Sequence, residues 1–224
     1  MKIGLFTFLI SLLFSAVGSA QDTTNIKDKE AAYIRTITSR AEKIVNTLGI
    51  SDATRSGQVT SIIAGQYKSL NQVYAERDEQ IRSIKQKGLS KEETDTELKK
   101  VETAVDQKTA ALHANFLSAL SALLTPEQVT KVKDGMTYNV LNVTYVAFLD
   151  MIPALTAVQK DQIMAWLIEA REHAMDAESS EKKHWWFGKY KGRINNYLSA
   201  QGYDLAKERK DWEERTRLKQ AKAN

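Results

Sequence analysis

Cysteine is absent from the chain, and that one absence excludes a disulfide framework, a thiolate metal site, a cysteine nucleophile and a diacylglyceryl anchor together. Only two prolines interrupt 224 residues, so long helices can run without a break. Histidine occurs three times, too sparsely for the paired spacing of a zinc protease, and no G-x-S-x-G elbow or phosphate-binding loop appears. No cofactor motif is found, and no cofactor is expected. Charge of one sign is also scarce: 32 basic against 28 acidic residues leave +4, which is modest. The pI of 9.0 directs attention to lipid head groups and acidic polysaccharides, and nucleic acid is not expected as a partner.

Long apolar runs are confined to the start. Lys2 precedes an apolar stretch from Ile3 to Val17, and Gly18, Ser19 and Ala20 then offer small residues before Gln21. This is the pattern of a secretory signal peptide over 1–20, cleaved near Ala20. The mature part, 21–224, is expected as a single all-helical domain in the periplasm or outside the cell.

Helix starts are the clearest signals present. An aliphatic residue precedes Ser or Thr at Ile50-Ser51, Leu89-Ser90, Leu124-Thr125 and Leu155-Thr156. In the last three, Glu93, Gln128 and Gln159 stand three places after the hydroxyl, which completes a capping box with its hydrophobic staple. The fold class is therefore all-α.

Apolar spacing fills in the elements. Ala31, Ile34, Ile37, Ala41, Ile44 and Val45 mark a helix from Asp28 to Thr47 that stops at Gly49. A long antiparallel hairpin arm is expected over about 51–123, turning at Gly88-Leu89-Ser90, with mixed charges at its tip. A C-terminal bundle covers about 125–204. Within it, Thr125 opens a short helix ending near Gly135, and an irregular stretch reaches Val143 before a short buried helix. Thr156 opens a helix to about Glu178 with Val158, Ile163, Trp166, Leu167 and Ala170 inward. A further helix runs from Glu181 to Gln201 and stops at Gly202, and a peripheral helix follows over 205–222.

The segment 184–197 carries the densest chemistry. Trp185, Trp186, Lys189, Tyr190, Arg193, Asn195 and Asn196 combine ring faces that can stack on a pyranose with donors for hydroxyl or carboxylate oxygens. An acidic or neutral glycan is the expected ligand. On a helix these residues cannot share one face, so about half should be core, and Gly188 with Gly192 would permit close helix contact. Glu169, His173 and Asp176 fall at i, i+4 and i+7, a spacing that a divalent metal could use if His184 joined them. Asp134, Asp150, Glu172 and Asp176 are candidate carboxylates for a glycan hydrolase, although no spacing separates them from solvated charges.

Two resemblances add to this reading. Leu124-Thr125-Pro126-Glu127-Gln128 and Leu155-Thr156-Ala157-Val158-Gln159 resemble the paired motifs of the Spy and CpxP periplasmic proteins. That resemblance implies an ATP-independent chaperone or envelope-stress sensor, with unfolded envelope proteins and a second copy of the chain as candidate partners. His184-Trp185-Trp186-Phe187-Gly188-Lys189-Tyr190 through Gly202-Tyr203-Asp204 resembles an uncharacterised family of exported Bacteroidetes proteins associated with polysaccharide-degrading gene sets. It implies a carbohydrate context and no catalytic residues.

Overall fold

A computed structural model describes the backbone of residues 18–223 and the side chains of 28–221. Residues 1–17, which hold most of the expected leader, lie outside the described residues. The chain divides into a unit of residues 1–36 and one of 37–224. In the first, the described residues are helical, and the Thr36 hydroxyl donates to the Ala32 carbonyl at 2.9 Å. Everything that follows concerns the second.

The described residues form helices and no strand: α1 (Gly18–Val45), α2 (Ala53–Gln86), α3 (Lys91–Ser121), α4 (Pro126–Met136), α5 (Val140–Met151), α6 (Ala157–Met175), α7 (Ser180–Ala200) and α8 (Leu205–Ala223). None is long and apolar enough to cross a membrane. The three capping boxes are all made. Ser90 with Glu93, Thr125 with Gln128 and Thr156 with Gln159 exchange side-chain and backbone hydrogen bonds at the starts of α3, α4 and α6. At α2 the cap moves one residue from the expected Ser51 to Asp52, whose carboxylate accepts from the Thr54 and Arg55 amides at 2.8 and 3.1 Å. An ionised acceptor beside the positive end of the helix dipole outcompetes a hydroxyl.

Helices α2 and α3 pair along their length as the expected hairpin, joined through Gly88 at φ 64°. At about 1.5 Å per residue each is roughly 50 Å long. The base of the hairpin enters one apolar core: Val59 and Ile63 of α2 and Phe116 and Leu120 of α3 pack with Ile44 of α1 and Met136 of α4. A second core gathers Phe148 of α5, Ile163 and Leu167 of α6, and Phe187, Ile194 and Leu198 of α7. Helix α6 serves both, because its terminal Met175 reaches the first core.

Four local expectations are corrected. Helix α4 ends at Met136, close to the expected place, but Gly135 is not its stop: its role is steric, since a Cβ there would lie 2.8 Å from Ile44 Cγ1. The irregular stretch reduces to a corner of two left-handed residues, Tyr138 (φ 57°) and Asn139 (φ 58°), and α5 begins at Val140. The Asn139 amide turns back to the Asp134 carbonyl at 2.7 Å, so α4 closes without a terminal glycine. Val158 is 74% exposed, because its neighbour Gln159 turns inward, completing the capping box and taking a 2.9 Å bond from the Tyr203 hydroxyl. Helix α6 stops at Met175, short of the expected Glu178.

Past α7, Gly202 (φ 92°) ends the helix as expected, and the Tyr203 amide donates to the Leu198 carbonyl at 3.1 Å. Helix α8 then lies against α5 and α7. Arg215 donates to the carbonyls of Asp150 and Met151 at 2.9 and 3.0 Å, satisfying acceptors that the end of α5 leaves open.

Candidate functional site

Helix α7 has a core stripe and two flanks. Lys183, Phe187, Tyr190, Ile194 and Leu198 recur at steps of four and three and are all buried. Of the seven residues singled out in the sequence, Trp185, Trp186, Lys189 and Arg193 come together on the flank facing α6. Tyr190 sits in the core with its hydroxyl pushed up to about 12, by burial first and by Glu169 second. Asn195 lies on the opposite flank, and Asn196 is exposed.

The α6–α7 face is an aromatic surface under cations. Trp185 is 53% exposed and meets Trp186 edge-on, ring centroids 5.1 Å apart. Lys189 Nζ lies 4.9 Å from the centroid of Trp186 and 5.7 Å from that of Trp185. The back of Trp186 stacks on His173 at 4.3 Å, which fixes its plane. One turn further, the Arg193 guanidinium lies 4.6 Å over Trp166 while its Nη1 meets Glu169 at 3.4 Å. Trp166 in turn packs edge-on against Tyr197 at 5.2 Å. Cations placed over indole faces are held there by the ring quadrupole. Sequence reasoning did not anticipate that His173 and Trp166 of α6 would complete this face, since only the helix pairing brings them to α7.

Gly188 and Gly192 do not mediate a helix contact: a Cβ at either would meet nothing within 4 Å. They lie on the outward side of α7, where the absence of side chains leaves the backbone beside Trp185 uncovered.

The residues considered for a metal separate. Glu169 serves Arg193, His173 stacks on Trp186, and Asp176 turns toward α3, where its Oδ2 lies 2.7 Å from His113 Nδ1. His184 stacks on Tyr138 at 5.6 Å. Among the described residues no group of three acidic or imidazole side chains is arranged to hold a metal.

Three of the candidate hydrolytic carboxylates do converge, in an ion-pair network between the hairpin, α4 and α6. Arg171 Nη1 donates to Asp134 at 2.7 Å and its Nη2 lies 3.3 Å from Glu172. Lys133 Nζ donates to Glu172 at 2.7 Å, and His113 Nε2 lies 3.5 Å from the same carboxylate. The hydrogen bond to Asp176 and the pairing with Glu172 push His113 up to about 9. Burial opposes ionisation of Glu172, but His113, Lys133 and Arg171 outweigh it and hold the carboxyl down at about 2. Lys183 is buried nearby and donates to the carbonyls of Ala174 and Met175, both at 2.8 Å; burial brings it down to about 8. Tyr74 donates to the Asp176 carbonyl at 2.7 Å, and Arg77 pairs with Glu178. Every carboxylate here is neutralised by a fixed cation, an arrangement suited to clamping helices and unsuited to a general acid. Asp150 stands apart at the end of α5.

The fold and these surfaces define an all-α protein that presents an aromatic and basic face on one helix pair, with its convergent carboxylates committed to packing. No curated protein matches the chain. It belongs to a family described as protein of unknown function (DUF3826), whose profile covers residues 34–218. The matched span takes in both cores, the hairpin and the aromatic face.

Proposed function

We propose that this is an exported, non-catalytic binding protein that recognises an anionic carbohydrate on the α6–α7 face. The observation that carries the reading is the exposed Trp185 beside Trp186, with Lys189 over both rings and no carboxylate partner for that lysine among the described residues. A flat indole supports the C–H face of a pyranose, and an adjacent ammonium group complements a uronate carboxylate. The basic apolar leader and the absence of cysteine support export. The resemblance of 184–204 to exported Bacteroidetes proteins associated with polysaccharide-degrading gene sets supports a carbohydrate as the ligand.

Titration of the purified protein with acidic and neutral oligosaccharides tests this, read as the rise in melting temperature that a native-state ligand produces. Uronate oligomers should raise the melting temperature with dose, and Trp185→Ala and Lys189→Ala should each remove most of the rise while leaving helix content unchanged. Equal shifts in wild type and both variants would remove the assigned face. The chaperone reading rests on the two paired Leu-Thr-x-x-Gln motifs. Both are accounted for as helix starts, with Gln128 also donating to the Leu48 carbonyl at 2.9 Å and Gln159 accepting from Tyr203.

A further inference from the structure

The opposite flank of α7 carries a second feature. Between α5, α7 and α8 lies a pocket of about 260 Å³, open to solvent on one side and with room for a small molecule. Its walls are mainly apolar, and Phe148 on α5 and Trp212 on α8 are the largest side chains that line it. The polar groups at its boundary are Lys191 and Asn195 of α7, Arg209 of α8 and Thr144 of α5, and no carboxylate lines it. Among the described residues neither Lys191 nor Arg209 has an ion-pair partner, although the chain is nearly balanced in charge and Arg77, Arg171 and Arg193 are each paired with a carboxylate. Two cations without a carboxylate partner therefore line one mainly apolar pocket.

We propose that this pocket binds a small monoanion with an apolar body, of the class of short and medium-chain carboxylates. The carboxylate is held by Lys191 and Arg209, with the Asn195 amide and Thr144 hydroxyl as neutral donors, and the chain lies between Phe148 and Trp212. A guanidinium presents two parallel donors that match a carboxylate, and burial of the hydrocarbon against the two rings supplies the rest of the affinity. A neutral alkyl ligand would leave both cations unused. An anion without an apolar body would leave the walls wet.

Isothermal titration of the full chain with octanoate, octanol and acetate separates these contributions. Octanoate should bind at one site per chain, acetate should not bind, and octanol should bind at least tenfold more weakly than octanoate. The double variant Lys191→Ala, Arg209→Ala should lose at least tenfold in octanoate affinity. Both side chains are exposed at the boundary, so its circular dichroism and melting temperature should match wild type. Trp185→Ala, on the other flank, should bind octanoate as wild type does. The proposal is overturned if octanoate fails to bind, if the double variant binds it unchanged, if octanol binds equally well, or if Trp185→Ala abolishes binding. The glycan titration stands or falls independently, because it reads the other flank.

Discussion

His113 bridges two carboxylates, Asp176 and Glu172, from the hairpin side. Its protonated form is held by those two carboxylates up to about 9, against an ordinary value of about 6.5. A group raised in this way stabilises the fold fully below the unfolded value, and the contribution is lost as pH rises through the folded one. Unfolding by urea should therefore show stability declining from pH 6.5 toward 9, and His113→Gln should flatten that decline. Lys183 acts with the opposite sign. Its folded value of about 8 lies below the ordinary 10.5, so its burial penalty is present below pH 8 and is relieved above it. The window from 6.5 to 8 isolates the histidine. Glu172, held at about 2, contributes above its ordinary value near 4.5 and loses that contribution as the solution is acidified toward 2, so Glu172→Gln should weaken the acid limb of the same curve.

At the scale of the element, what was legible depended on how local the cause was. A capping box joins residues three apart, so α3, α4 and α6 could be read directly from Ser90, Thr125 and Thr156. Thr125→Ala and Thr156→Ala should each cost about 1 kcal/mol in unfolding free energy, as should Asp52→Ala, whereas Ser51→Ala should be nearly silent. The corner at Tyr138 and Asn139 was not legible, because Tyr at positive φ is rare and the bonds that hold the corner return to the end of α4. Gly135 was misread for a related reason. In one dimension a glycine near a helix end resembles a stop, and only the approach of Ile44 shows that the missing Cβ is needed. Gly135→Ala should lose about 1 kcal/mol, since overpacking costs about 1–3 kcal/mol and helix propensity returns about 1. In an Ile44→Ala background the same change should become stabilising, and a double-mutant cycle checks both signs. The aromatic face was half legible. Residues on α7 stood together in sequence, but their α6 partners Trp166 and His173 are distant in it, as are the network residues His113 and Asp176.

Across the whole molecule, stability should be graded along the hairpin. Val59, Ile63, Phe116 and Leu120 near the base lie in a core shared with α1 and α4, while residues 78–98 around the turn bury only Ile84. Local opening follows the density of buried apolar contact. Amides of 78–98 should exchange with deuterium markedly faster than those of 59–70 and 112–120, and uniform protection along α2 and α3 would contradict this account of what holds the arm.

The four tryptophans divide between the two flanks of α7: Trp166, Trp185 and Trp186 on the side of α6, and Trp212 in the pocket with α8. The molecule consequently carries two built-in optical reporters that need no label. Emission from the exposed Trp185 should be red-shifted and accessible to acrylamide, and covering the α6–α7 face should shield it. In a Trp212→Phe background the remaining indole signal comes from that face alone, so an intensity change that survives the substitution belongs to it and one that disappears belongs to the pocket.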